Sequence, residues 1–231
     1  MKKIGIICAS DDELEPFLSH LEKKIVTKKA MLTFYEGTIN NINIITLFSG
    51  VGKVNAAIAS QILIDTYNVD IIINAGTAGG MDETIHLFDT VISTQCAYHD
   101  TDDDILTEFH PWIPTIYFDT DIHLIEIAKK LCNINNSIYL GRIVTGDKFI
   151  KDEFRDLINQ KYVPLSVDME STSIAHVCHV NKIPFISIRT ITDTANHSGT
   201  DAFESNCIQA SCIAKDVVIN FLIELTKTSN L

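Results

Sequence analysis

Apolar and polar positions along the chain switch between a short and a helical period. Residues 4–9 form an unbroken apolar run, as in a buried strand. Leu14, Phe17, Leu18 and Leu21 follow at i, i+3, i+4 and i+7, the spacing of one helix face. Residues 31–35 and 42–48 are β-rich, and Gly37 with Asn40-Asn41 between them predicts a hairpin over 31–49. Residues 53–67 predict a helix with Val54, Ala57, Ile58 and Ile62 inward. Residues 69–74 predict a buried strand that ends in a turn, Gly76-Thr77-Ala78-Gly79-Gly80. A further strand covers 88–97, and the acidic, aromatic, Pro-containing stretch 99–120 reads as one long loop. Helices over 121–132, 151–160 and 169–181 then alternate with strands over 138–145, 163–168 and 184–191. The terminal helix, to about 226, has a core face of Ala210, Ile213, Ala214, Val217, Val218, Phe221 and Leu225. No linker or repeat divides residues 1–231. The expectation is a single α/β domain with a mixed central sheet flanked by helices.

Composition narrows the class. Of 231 residues 46% are hydrophobic, which suits a self-sufficient core and excludes a disordered or fibrous chain. The formal charge is −12, from 30 acidic and 18 basic residues, so nucleic-acid and anionic-membrane partners are not expected. Cys8, Cys96, Cys132, Cys178, Cys207 and Cys212 lack CxxC spacing and read as reduced core residues of a cytoplasmic protein. Lys2-Lys3 before the first apolar run imitates a signal peptide, but the run is short and Asp11-Asp12-Glu13 follow at once. No apolar stretch approaches a membrane span.

In open α/β sheets ligands sit beyond the strand ends. Here six such ends carry unusual residues: 10–13, 49–53, 76–80, 145–150, 168–170 and 192–193. Taken alone, Asp11, Asp12 and Glu13 are explained by the acid preference of a first helical turn. Glu170 shares an inward stripe with Ile174, Val177 and Cys178, so a helix-dipole role and a role in a cleft both fit. Asp193 ends an apolar strand, and with Thr194-Ala195-Asn196 an Asx-type turn would explain it. Several motifs fail. Gly50-Val51-Gly52-Lys53 lacks P-loop length, and Val54 stands where Ser or Thr would bind Mg²⁺. Residues 76–80 are not GxGxxG. The Asp100-x-Asp102-x-Asp104 start of a calcium loop has Leu106 and Pro111 where Gly and Glu are needed. His176-x-x-His179 has no second ligand pair.

In order along nearly the whole chain, these blocks resemble the 5′-methylthioadenosine/S-adenosylhomocysteine nucleosidases of the nucleoside phosphorylase superfamily. The residues are Lys3-Ile4-Gly5-Ile6-Ile7, Glu13, Ser49-Gly50-Val51-Gly52-Lys53-Val54 and Ile73-Asn74-Ala75-Gly76-Thr77-Ala78-Gly79-Gly80. They continue with Tyr98-His99-Asp100, Thr145-Gly146-Asp147-Lys148-Phe149-Ile150, Val167-Asp168-Met169-Glu170, Ala175-His176-Val177-Cys178-His179, Arg189-Thr190-Ile191-Thr192-Asp193 and Phe203. The resemblance implies hydrolysis of the bond between adenine and a 5′-thio-substituted ribose, a step of methionine salvage, without metal or cofactor. It implies Asp193 as the acid that protonates adenine N7, and Glu13 as the group that activates water with Arg189 and Thr77 beside it. Met169 and Glu170 would meet the ribose, Phe149 would stack on adenine, and Ile150 would read its edge through the backbone. Val51 and Phe203 would line the 5′ pocket, with Ala78, Gly79, Val167 and Thr192 completing the substrate-binding set. A second subunit would close that pocket, so a homodimer is implied.

This chain departs from the family pattern in Ser10-Asp11-Asp12 for Met-Glu-Glu, in Thr77 and Thr192 for Ser, and in Asp168 for Glu. The departures bear on fine specificity more than on reaction type. A purine nucleoside phosphorylase is disfavoured because residues 1–141 contain no Arg and Glu13 would repel phosphate. A non-catalytic adenine-nucleoside binder is disfavoured because both Glu13 and Asp193 are retained. Related substrates, 6-amino-6-deoxyfutalosine or 5′-deoxyadenosine, stay open.

Overall fold

The computed structural model describes residues 2–110, 112–150, 152–194 and 200–228. Pro111, Lys151, Ala195 and Asn196, which the readings above placed in a loop, a helix and a turn, lie outside them. The first apolar run is β1 (Lys3–Cys8), followed by α1 (Asp11–Leu18), β2 (Glu22–Lys29), β3 (Leu32–Ile39), β4 (Ile42–Phe48) and α2 (Lys53–Tyr67). Then come β5 (Ile71–Gly80), β6 (Thr90–Tyr98), α3 (Asp103–Thr107), β7 (Tyr117–Asp119), α4 (Ile122–Ile134) and β8 (Ile138–Thr145). The last elements are α5 (Asp152–Tyr162), β9 (Ser166–Asp168), α6 (Ser171–Asn181), β10 (Phe185–Asp193) and α7 (Thr200–Thr228). Together they make a single α/β domain with a mixed sheet, as the alternation predicts.

β1 lies parallel between β4 and β5, and β3 and β2 extend the sheet antiparallel to a free edge. On its other side β5 pairs with both β10 and β9. The path β10–β6–β8–β9 returns to β5 and closes a five-strand ring. Leu14, Phe17, Leu124, Ile127 and Phe221 of α1, α4 and α7 pack on one face of the sheet. Ala56, Leu63, Ile174 and Cys178 of α2 and α6 pack on the other.

Several expectations change. Residues 76–80 are not a turn: β5 runs through them, held in register with β10 from Arg189↔Gly76 to Asp193↔Gly79. The strand ends do not share one parallel edge either. β9 runs against β5, with Gly79 opposite Val167, so ring closure brings oppositely directed strands to one place. On α2 the buried side includes Ala56, Ala59, Ser60 and Leu63, and the small side chains of the first three let α6 approach. Val54 and Ile58 are left outward, 70% and 45% exposed. The stretch 99–120 contains α3 and β7, and the exposed edge strand β2 has no counterpart in the hydrophobic pattern. Gly37 lies within β3, while Asn40 and Asn41, both with positive φ, make the hairpin turn. Among the cysteines Cys132 is half-buried and Cys212 exposed, and all six are unpaired. No helix among the described residues is long and apolar enough to cross a membrane.

Candidate active site

At the mouth of the ring the chain leaves a cavity of about 300 Å³. Its construction starts with α1. Ser10 caps the helix, its Oγ accepting from the Glu13 amide at 3.4 Å. Asp11 and Asp12 face solvent, as first-turn acids do, but Glu13 turns inward and is only 4% exposed. Its carboxylate accepts from the Ala9 amide at 2.6 Å, the Thr77 amide at 2.7 Å and Thr77 Oγ1 at 2.8 Å. Gly76 makes room for it: a Cβ there would lie 2.4 Å from the carboxyl atoms.

Behind this group lies Arg189, with no exposed surface. Its Nη2 donates to Glu170 Oε2 at 3.0 Å and its Nη1 to the Thr77 carbonyl at 3.3 Å. Nη1 lies 3.7 Å from Glu13 Oε1, and Nε lies 3.0 Å from Asp168 Oδ2. One buried cation thus serves three carboxylates, and the region stays net negative. Burial works against the guanidinium charge, but Asp168, Glu170 and Glu13 more than offset this and raise its pKa. Asp168 is the hub of the floor. Thr145 Oγ1 donates to Oδ1 at 2.6 Å and the Ser171 amide at 3.1 Å, while Ser171 Oγ bonds Oδ2.

Glu170 sits at the N-cap of α6 and takes the Gly52 amide on Oε1 at 2.8 Å, tying the 49–52 loop to the site. Burial pushes its pKa up to about 7, against the pull of Arg189. The site's rim is clamped by Lys53. Its Nζ holds Asp100 at 2.8 Å and its amide donates to Asp147 at 2.9 Å, and the Asp147 amide donates to Asp100 at 2.9 Å.

Asp193 ends β10 with 5% exposure and accepts from Thr192 Oγ1 at 2.9 Å. Burial raises its pKa, with Thr192 and Arg155 pulling the other way. Thr77, beside Glu13, and Gly79, beside Asp193, are i and i+2 on β5. They therefore face the same side, roughly 7 Å apart along the strand. Phe149 and Phe203 meet edge to face, centroids 6.3 Å apart.

The cavity walls hold Glu13, Asp193, Glu170, Thr77, Ala78, Gly79, Val51, Phe149, Ile150, Val167, Met169, Thr192 and Phe203, so the structure brings these named residues together. Arg189 is set behind the wall and touches it through the carboxylates. Lys148, Arg155 and Asp168 also line it but carried no site role from sequence. A buried acid next to a buried arginine is a long-range pairing, and only the inward stripe of Glu170 hinted at it. Among the described residues no His/Cys/Asp/Glu group is arranged to hold a metal.

The phosphorylase superfamily profile matches residues 3–223. A 5′-methylthioadenosine/S-adenosylhomocysteine nucleosidase of Exiguobacterium sp. is 34% identical over 94% of this chain and 96% of its own length. The structure of such a nucleosidase from S. pneumoniae, with a transition-state inhibitor, superposes with a TM-score of 0.88 at 31% identity, covering 96% of this chain and 99% of that one. One from Colwellia psychrerythraea, in complex with adenine, has a TM-score of 0.89 at 33% identity, covering 97% and 96%. With its closed ring, its paired acids and these matches over nearly its whole length, the chain belongs to the phosphorylase superfamily and, within it, to the 5′-methylthioadenosine/S-adenosylhomocysteine nucleosidases.

Proposed function

We propose that the protein hydrolyses the N-glycosidic bond of 5′-methylthioadenosine and S-adenosylhomocysteine, releasing adenine and the 5-thioribose product. The observation that carries this is one cavity holding two acids in different surroundings. Glu13 is an acceptor fed by three donors, and Asp193 is buried with raised proton affinity. Adenine leaves poorly as an anion, so Asp193 delivers a proton to N7 as the C1′–N9 bond breaks and its electron pair goes to the base. Water adds to C1′ and gives its proton to Glu13. This is the division of labour between acid and base of an inverting glycosidase. Glu170 and Met169 meet the ribose, and the carboxylates around Arg189 favour the positive charge that develops there. Phe149 stacks on adenine with Ile150 at its edge, and Val51 and Phe203 take the 5′-thioether. No metal or cofactor enters these steps.

Water rather than phosphate is favoured as the nucleophile. The cation behind Glu13 is already matched by three carboxylates, so on the Glu13 side of the cavity little positive field is left for an anion. A homodimer is the expected assembly: Val54, Phe109 and Trp112 are 70%, 69% and 60% exposed and need cover. Six unpaired cysteines suit a cytoplasmic location.

The test offers purified protein both thio-nucleosides, adenosine, 5′-deoxyadenosine and 6-amino-6-deoxyfutalosine, with and without phosphate, and follows free adenine. Release from the thio-nucleosides without phosphate is expected. A phosphate requirement with ribose-1-phosphate products would refute hydrolysis, and preference for the futalosine would move the substrate.

A further inference from the structure

Arg155 is a buried guanidinium with an unusual environment. It projects from α5 into the cavity wall and is 7% exposed. Its Nη1 donates to the Gly80 carbonyl and lies 3.5 Å from Met81 Sδ, and its Nε has no partner. Among the residues whose side chains the structure describes, which leaves out Asp152 and Glu153, no carboxylate oxygen lies within 4.0 Å of it. Arg189 in the same site has three. A buried cation with no ion partner among the described side chains costs stability, so its place in the wall calls for a functional reason.

The acid that this end of the cavity holds is Asp193. Gly80, whose carbonyl holds Arg155, follows Gly79, and a Cβ on Gly79 would lie 3.1 Å from Asp193 Oδ2. Among the described residues the other groups around Asp193 supply no free cation. β5 offers only Ala78, Gly79 and Gly80. On β10 Thr192 donates to Oδ1. On β9 Val167 is apolar and Asp168 is engaged by Arg189. On α7 Phe203 is apolar and Asn206 donates to the Thr192 carbonyl. Glu13 and Glu170 share the cavity but face Arg189. Lys148 lies on the exposed rim.

We propose that Arg155 is the counter-charge for the Asp193 carboxylate that forms when this acid gives up its proton to the leaving purine. The proposal rests on the hydrolase reading given above. In that step the Asp193 proton goes to N7, the C1′–N9 electron pair goes to the base, and an anion is left beside Gly79 and Val167. The attacking water has placed its own proton on Glu13, so atoms and charge balance. Without a cation nearby, a carboxylate in that apolar wall holds its proton too tightly to transfer it. Burial alone drives Asp193 in that direction, and Arg155 opposes it. Arg155 is thus a positioning residue for charge, acting through Asp193.

The test compares wild type with Arg155→Met, Arg155→Gln and Arg155→Lys. Two substrates are used: 5′-methylthioadenosine, and the 4-nitrophenyl glycoside of 5-methylthioribose, whose phenolate leaves without a proton. With either neutral variant, kcat on the nucleoside should fall 10-fold or more, and the alkaline limb of kcat/KM should move to higher pH. The 4-nitrophenyl rate should fall far less, and Arg155→Lys should restore most of the loss. An unmoved alkaline limb in both neutral variants, or equal losses on the two substrates, would overturn the inference. The hydrolase reading fails separately, by wild-type protein that releases no adenine.

Discussion

Gly76→Ala is the smallest change that tests how Glu13 is held. The added methyl would sit 2.4 Å from the Glu13 Cδ, Oε1 and Oε2 atoms, where ordinary contact needs 3.4–4 Å. The strand cannot yield easily, because Gly76 is in register with Arg189 of β10. Glu13 must therefore retreat by about 1 Å, and a misplacement of that size costs roughly 10²-fold in rate. The retreat also weakens bonds from Ala9 and Thr77, each worth about 1.5–3 kcal/mol when one partner is charged. Overpacking itself should cost about 1–3 kcal/mol of stability, or a few degrees of Tm for a chain of this size.

The assay is kcat/KM on 5′-methylthioadenosine beside a thermal melt. Gly5→Ala is the control. Its methyl would meet Leu63 Cδ1 at 2.8 Å in the core under α2, away from the cavity. It should lower Tm and leave turnover near wild type. The expected result is a selective fall of about 10²-fold for Gly76→Ala at comparable loss of Tm. If both variants lose activity only in proportion to stability, or Gly76→Ala keeps wild-type kcat/KM, the position of Glu13 is not what limits the reaction.

Asp193→Asn and Glu13→Gln should keep the fold and lower kcat by roughly 10²–10⁴, the usual worth of a positioned acid or base; circular dichroism and initial rates check both. Light scattering at micromolar concentration should report twice the mass of one chain, and a fully active monomer would remove the shared-pocket reading. Burial lifts the Glu170 pKa to about 7 in the folded state. The folded protein therefore holds a proton there that the unfolded chain has lost, and stability falls as pH rises from about 4.5 to 7. Glu170→Gln should flatten Tm against pH across that window.

The class of fold was legible because the buried strands and the faces of α1 and α7 carry strong periodicity. What was not legible has particular causes. β2, Glu-Lys-Lys-Ile-Val-Thr-Lys-Lys, is an exposed edge strand with no alternation, and only its ladder to β3 makes it a strand. Residues 76–80 read as a turn because glycine signals turns locally. Here the glycines permit close approach, of Glu13 at Gly76 and Asp193 at Gly79, along a strand held on both sides by β10 and β9. The identities of the acids could be named from resemblance, but their differences could not. Glu13 with three donors, Glu170 against Arg189 and Asp193 in an apolar wall arise from ring closure between residues far apart in sequence. Arg155 lay in a helix that looked ordinary for the same reason.

The 5′ end of the cavity offers the last test. Val51 and Phe203 are apolar, and Phe203 meets Phe149 edge to face. A thioether carbon buried there gains about 0.8 kcal/mol per CH₂. A 5′-hydroxyl in the same place gives up its water partners without replacement, at about 1–3 kcal/mol. Adenosine should thus fall behind 5′-methylthioadenosine by roughly 10–10³-fold in kcat/KM, since about 1.4 kcal/mol is tenfold. Phe203→Ala should narrow the gap, chiefly by weakening the thio-substrate. The two nucleosides share adenine and ribose, so the comparison cancels every interaction of Asp193, Glu13 and Glu170. Equal values for wild type would mean that the substituent lies elsewhere than against Val51 and Phe203.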